Sequence, residues 1–404
     1  MTDEPNIDGL ERATRRYPAY LFFLKASYWA PVFFLYFNSL LSLSDVLLLE
    51  SIYYIGVVCL EVPTGYLADR IGPRRVLIGS SVAQMVACTA FVSSGHFVTL
   101  ALGQILLALG MSLSSGSDTA YHYSVVRALD RADEYPAREG RASRALFLSQ
   151  ASSALVGGAV AIVDLRLAYA FTILSSAIAA VISFHFVDIP AGDKSAESVW
   201  RQLSSCLQHA RHPRLAWLLA FYIFMTVVNH IPHEFYQPFL ADLVTASHMS
   251  LQAPLAAGIH TALTMVVAGI AANYTIRLRD RLGSSFGLLL AAVIQTSIIA
   301  AMALNPSPVI AFVVLLRSVP RGLMMAPLNA EIVPLIAEGR RATYLSLQSL
   351  LGRLAFGAVL VALSRTFVSE AIAEPLETAM VWAAVGLILL TVALPISARK
   401  ADTP

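Results

Sequence analysis

Ionisable side chains stand inside long apolar runs of this sequence, where an ionic group costs about 2.5–3.5 kcal/mol on membrane-insertion scales. Residues kept at that cost face the interior of a helix bundle, pair with one another, or line a wet path. The densest group is Asn229-His230-Ile231-Pro232-His233-Glu234-Phe235-Tyr236-Gln237-Pro238. Helical spacing places His230 with Glu234, and Asn229 with His233, on common faces. A carboxylate beside an imidazole can carry a proton near neutral pH. The other reading is a hydrated group at the extracytoplasmic end of its helix. Pro232 and Pro238 are expected to bend the helix and free backbone groups. The zinc pattern H-E-x-x-H is absent, because Phe235-Tyr236-Gln237 follows Glu234, so no metal is expected.

Arg317 and Arg321, four residues apart around Pro320, predict two guanidinium forks on one stripe, suited to a carboxylate or phosphate. They read equally as bundle glue paired with Glu61, Glu50 or Glu331. Lys25, among Phe22, Tyr28 and Trp29, is a ligand-facing cation, a structural ion pair, or a side chain snorkelling to the surface. Asp118, beside Tyr121 and His122, either lines the interior or caps a loop. Trp29, with Tyr28, Tyr222 and Tyr236, offers apolar contact to an organic ligand or ordinary packing. Arg353 and Glu61 read as structural partners.

The elements that must position these residues are membrane helices. The 404 residues are 57% hydrophobic and 13% charged, with a mean hydropathy of +0.67. That composition excludes an ordinary soluble chain. Net charge is +2, which argues against a nucleic-acid partner. Cys59, Cys88 and Cys206 lie far apart without metal-ligand spacing. No nucleotide loop or catalytic nucleophile is present, so neither an enzyme nor a cofactor is expected. The polar, acid-bearing start MTDEPNIDGLERATRRYP does not read as a cleavable signal.

Spans of about 20 apolar residues are predicted near 17–36, 46–67, 76–93, 97–117, 145–163 and 168–186, and again near 215–239, 254–274, 286–304, 309–328, 343–367 and 380–396. The reading is an N-terminal six-helix half (1–187), a cytoplasmic linker (188–214) and a C-terminal six-helix half (215–404). In the linker Val199, Trp200, Leu203 and Leu207 recur at helical spacing from Ser195, predicting a short surface helix. Outside the spans, basic residues gather on one side, with Arg166 and Arg365 on the other. Lys and Arg collect in cytoplasmic loops, so both termini are expected in the cytoplasm.

The most specific stretch is Gly65-Tyr-Leu-Ala-Asp69-Arg70-Ile-Gly72-Pro-Arg74-Arg75, where the second span meets the third. Gly65 would let two helices approach, Gly72 permits a tight turn, and Asp69 can meet a helix N-terminus or an Arg. The stretch resembles the signature of the major facilitator superfamily, G-x-L-a-D-r-x-G-r-[kr]. Leu60-Glu61-Val62-Pro63-Thr64 before it is similar to the form in a drug-efflux-like branch. Asp280-Arg281-Leu282-Gly283 echoes the signature one half-chain later, matching a parallel repeat. Two antiporter patterns are poorly met: the fourth-span Arg would fall at Leu106, ahead of Gly110, and the fifth-span motif is reduced to Val156-Gly157-Gly158.

The resemblance implies an all-α membrane protein of the major facilitator fold, with twelve transmembrane helices in two pseudo-symmetric six-helix halves around a central cavity. It implies a bacterial-type inner-membrane, monomeric, secondary active transporter. The motif residues Gly65, Asp69, Arg70, Gly72, Arg74, Arg75, Asp280 and Arg281 would lock and release one conformation. Spans one, four, seven and ten would line the cavity, so the substrate candidates are Lys25, Trp29, Asp118, Arg317 and Arg321, and the proton-coupling candidates are His230, His233 and Glu234. The partners implied are protons, the bilayer and a small molecule: a medium-sized anionic or zwitterionic solute, siderophore-like or drug-like, moved outward. A proton-symport importer of a metabolite or metal chelate is the nearest alternative. A non-transporting membrane sensor or scaffold is the alternative of another class.

Overall fold

The computed structural model describes residues 7–189, 212–246, 252–272, 283–336, 341–366 and 371–399. Every regular element among the described residues is helical. The expected surface helix around 195–207 lies outside them. The chain forms two compact units, residues 1–41 with 52–195, and residues 42–51 with 196–404.

The first unit opens with α1 (Ile7–Lys25) and a short α2 (Phe33–Asn38). The single span expected over 17–36 is therefore two helices. Pro31 has no N–H and disfavours helix at the residue before it, and the N–H of Tyr28 turns aside to donate to Thr172 Oγ1 at 3.1 Å. The carbonyls orphaned by this ending find side-chain donors: Ser149 Oγ donates to Phe22 O and Ser175 Oγ to Phe23 O at 2.7 Å. Then come α3 (Leu43–Ile71), α4 (Pro73–Ser93), α5 (Phe97–Ser114), α6 (Ser117–Ala128), α7 (Tyr135–Val160) and α8 (Leu165–Phe184). Gly116, in the left-handed region at φ 74°, separates α5 from α6 and sets Asp118 in the first turn of the latter.

Leu10, Ala13, Tyr17, Tyr20, Leu21 and Leu24 form one face of α1 at helical spacing and bury against Leu77, Tyr121, Val125, Ala142, Ala179 and Phe186. Lipid tails are as apolar as leucine, so helix association here rests on close packing and interhelical hydrogen bonds. Gly157 of α7 shows the packing term: a Cβ there would stand 1.9 Å from the carbonyl oxygen of Tyr28. The remnant Val156-Gly157-Gly158 thus admits the broken backbone after α1.

The second unit contains α9 (Pro213–Ala246), α10 (Ala253–Ala272), α11 (Ser284–Leu304), α12 (Pro308–Val314), α13 (Val319–Ile332), α14 (Arg341–Leu363) and α15 (Ala373–Arg399). The first turns of α3 group with it, where Ser44 Oγ donates to Ser364 O at 2.7 Å. Helix α9 runs unbroken through Pro232 and Pro238. Pro232 has no N–H for the carbonyl four residues back, and Gln295 Nε2 of α11 donates to that Val228 O at 3.2 Å. Arg214, stacked on the Trp217 ring at 5.0 Å, donates to Ser285 at 2.7 Å and pairs with Glu331.

Among the described residues, ten helices are long and apolar enough to cross a membrane. The expected twelve is not reached on that measure. The break after Lys25 shortens the first run, and α7 opens with Arg138, Glu139, Arg141 and Arg144.

Between α3 and α4 the single residue Gly72 turns the chain at φ 85°, ψ 150°. Gly283 does the same before α11 at φ 74°, ψ 159°. This region is essentially glycine's alone, so the half-chain echo read in the sequence recurs as backbone geometry.

Candidate functional site

In the first unit the end of α1 meets the start of α6. Lys25 Nζ lies 3.6 Å from Asp118 Oδ2, the side chains 20% and 14% exposed, and donates to Ser114 Oγ at 3.3 Å. The backbone N–H of Thr119 donates to Asp118 Oδ1 at 2.7 Å. Asp118 therefore both accepts a local backbone hydrogen bond in the first turn of α6 and pairs with Lys25. Trp29 follows in the break after α1, its ring stacked on Tyr169 with centroids 6.3 Å apart. Its buried indole N–H finds no acceptor among the described residues, an arrangement that usually awaits water or a ligand.

In the second unit Arg317 is 4% exposed. Its Nη1 reaches His260 Nδ1 at 2.8 Å and donates to Thr264 Oγ1 at 2.7 Å, while its guanidinium carbon sits 4.1 Å from the centroid of the Tyr236 ring. The Tyr236 hydroxyl is 2.8 Å from Thr261 Oγ1, and the Thr261 hydroxyl donates to Ala257 O. Arg317 is thus held by neutral groups on α9 and α10. Among the described residues it is in no ion pair, and Glu331 is taken by Arg214.

Arg321 does not share the burial of Arg317: it is exposed. Residues Leu315–Ser318 wind as a 3-10 segment between α12 and α13, with about three residues per turn. That shifts the register expected of a straight α-helix. On α9, Glu234 is fully buried and His233 is exposed. His230 Nδ1 donates to Thr226 O at 2.6 Å, and its ring lies 4.9 Å from that of Phe356.

The loop after α3 is anchored by Arg74, whose Nη2 donates to Phe184 O at 2.8 Å and whose Nη1 lies 3.5 Å from Asp188 Oδ2. The base thus sits on the carbonyl end of α8, where the helix dipole favours it. Arg70 lies over Tyr66 at 4.8 Å, and Arg75 is exposed. Among the described residues nothing lies within 4 Å of a Cβ placed on Gly65. The side chain of Asp69, and the whole of Asp280 and Arg281, lie outside the described residues.

A sequence model of the Major Facilitator Superfamily matches residues 19–362. The chain belongs to the major facilitator superfamily. As a member it is a multi-pass secondary transporter of a small molecule, not an enzyme. No curated protein matches the sequence. Solved structures share the fold. The nucleoside transporter NupG has a TM-score of 0.80 at 13% identity, covering 99% of this chain and 100% of that one. The peptide transporter POT in complex with sulfate has a TM-score of 0.73 at 15% identity, covering 97% and 95%. A bacterial homolog of the human lysosomal transporter Spinster, inward-facing and unoccupied, has a TM-score of 0.68 at 15% identity, covering 98% of each.

Two constellations escape a sequence reading of this superfamily member. His260 and Thr264 signal themselves only as an i, i+4 polar pair within an apolar run. The second is His122 Nδ1 with Glu139 Oε2 at 2.7 Å. It is roofed by Tyr17, whose ring stacks at 4.1 Å, and joins residues on three helices.

Proposed function

We propose that this transporter exports a medium-sized organic anion or zwitterion, siderophore-like or drug-like, by proton-coupled alternating access across a bacterial-type inner membrane, with both termini in the cytoplasm. The observation that carries the anionic class is Arg317. A permanently charged guanidinium buried in a membrane unit, held by an imidazole, a hydroxyl and a ring face, retains an uncompensated charge that a carboxylate or phosphate would balance. Arg321, exposed on the next turn, would meet the same ligand from the wet side.

In the first unit the Lys25–Asp118 pair and the unsatisfied indole of Trp29 form the complementary polar and aromatic contacts, suited to the mixed charge of a zwitterion. Proton coupling is assigned to Glu234 with His230 and His233, because a wholly buried carboxylate in hydrocarbon is costly unless it exchanges its charge. Outward direction follows from the likeness of Leu60-Glu61-Val62-Pro63-Thr64 to the drug-efflux-like branch. Gly72, Arg70, Arg74 and Arg75, with Gly65, Asp69, Asp280 and Arg281, are assigned to gating, and the protein to a monomeric state.

A ligand-binding thermal-shift screen on detergent-purified protein tests the class. It would span acidic siderophores, drugs, sugars and peptides. Stabilisation confined to acidic or zwitterionic compounds is the expected result; stabilisation by neutral sugars alone would reject the reading.

A further inference from the structure

Away from both sites, the first unit holds an open cavity of about 660 Å³ between the first turns of α1, helix α6 and the start of α7. Arg12, Arg15, Arg138 and Arg141 line it, with His122 and Thr14. Asp8 and Glu11 are also on its wall, so the charge balance must be worked out pair by pair. Glu11 is held by Arg131 at 3.1 Å. Arg138 is neutralised by Glu134, which accepts from Nε at 2.9 Å and from Nη2 at 2.6 Å. Glu139 is engaged by His122. Among the described residues Arg12, Arg15 and Arg141 are in no ion pair. Three guanidiniums thus face one cavity with Asp8 as the one carboxylate on its wall not engaged by a base.

The second observation is Thr14. Thr14 is one of the residues lining the cavity and is buried to 5% exposure, and among the described residues its hydroxyl oxygen has no hydrogen-bond partner. A buried hydroxyl left unmet marks a place where a ligand or ordered water completes the bonding. Guanidinium forks present paired N–H donors at the spacing of phosphate oxygens, and the volume exceeds what a bare anion fills.

We infer that this cavity is a binding site for the phosphate group of a phosphate ester, held by Arg12, Arg15 and Arg141 with the Thr14 hydroxyl, and separate from the transport sites. Two of its three walls, α1 and α6, also carry Lys25 and Asp118, so occupancy would brace α1 against α6 and α7. The phosphate could belong to a lipid headgroup or to a soluble ester, because the recognising chemistry is the same for both.

The test uses the full chain, in detergent with glycerol 3-phosphate as the probe and in nanodiscs of phosphatidylglycerol or phosphatidylcholine. Thermal midpoint and binding isotherms are read for the wild type, for the double variant Arg15→Gln/Arg141→Gln, and for Arg166→Gln at the opposite end of the unit. Saturable stabilisation that the double variant weakens at least tenfold and Arg166→Gln leaves intact is the expected result. A response to glycerol 3-phosphate assigns a soluble ester, and one confined to phosphatidylglycerol assigns a lipid; either supports the site. An equal shift from sulfate or glycerol at matched ionic strength, or a response that survives the double variant, overturns it. Should the double variant fail to fold, the single Arg141→Lys, which keeps the charge and loses the fork, is expected to weaken the same isotherm, and an unchanged isotherm overturns the site.

Discussion

Nη1 of Arg317 stands 2.8 Å from Nδ1 of His260, and Nε2 of the same ring stands 3.0 Å from Ala311 O. Arginine can only donate and a carbonyl can only accept, so Nδ1 must be the acceptor and Nε2 must carry the hydrogen. The hydrogen-bond network thereby assigns His260 as the neutral Nε2–H tautomer. Its part is to aim a guanidinium, not to carry a proton.

His260→Ala should therefore act through Arg317. Losing one hydrogen bond to a charged group costs about 1.5–3 kcal/mol, or roughly ten- to a hundredfold in affinity. Titration of an acidic ligand should show that loss, while a neutral ligand's affinity stays within about twofold. Equal losses for both would make the cluster a packing feature.

Gly157→Ala should lower the thermal midpoint, since its Cβ would meet the Tyr28 carbonyl at 1.9 Å. Overpacking of this kind costs about 1–3 kcal/mol. Gly140→Ala, in the same helix with nothing within 4 Å, should raise it, because glycine costs about 1 kcal/mol against alanine in a helix. The opposite ordering in a melting experiment would show that α7 does not seat the break after α1.

The two glycine turns make a second pair. Gly72→Ala and Gly283→Ala each force a side chain into a backbone region reserved for glycine, at about 1–3 kcal/mol. Gly65→Ala, inside α3 with nothing within 4 Å among the described residues, should not lower the thermal midpoint and, like Gly140→Ala, should raise it slightly. A Gly65→Ala loss as large as that of Gly72→Ala would instead point to a close helix approach at Gly65.

Lys25 and Asp118 should show coupling. Removing one partner of a mostly buried pair strands the other, at about 3–5 kcal/mol in fully buried cases and less at this exposure. Lys25→Met/Asp118→Leu together should be less damaging to stability than either alone. Additive losses in a double-mutant cycle would mean the two act independently.

Much of the fold was legible because hydrocarbon leaves a strong imprint: apolar runs of span length, basic loops, and a glycine-bearing turn repeated half a chain apart. The break after Lys25 was masked by Ala26, Tyr28, Trp29, Ala30 and Val32, which keep the run apolar where the backbone between α1 and α2 is no longer α-helical. The 3-10 segment at 315–318 leaves no pattern in residue types, so Arg317 and Arg321 read as one stripe although only Arg317 is buried. His260 carries no formal charge in an apolar run, which is why the partner of the buried arginine was visible only in three dimensions.

Glu234→Gln should abolish proton dependence while leaving ligand binding near wild type, because the amide keeps the shape and loses the exchangeable charge. Transport in proteoliposomes with and without a pH gradient measures this. Persistent gradient-driven transport would move the coupling elsewhere.

The most direct test of the central claim is uptake into inside-out vesicles of an acidic solute identified by the stability screen and of its neutral ester, by wild type and by Arg317→Gln. Accumulation of the acid by wild type, lost in Arg317→Gln with the ester's slower uptake unchanged, is the outcome this account requires. Undiminished accumulation of the acid by Arg317→Gln would contradict it.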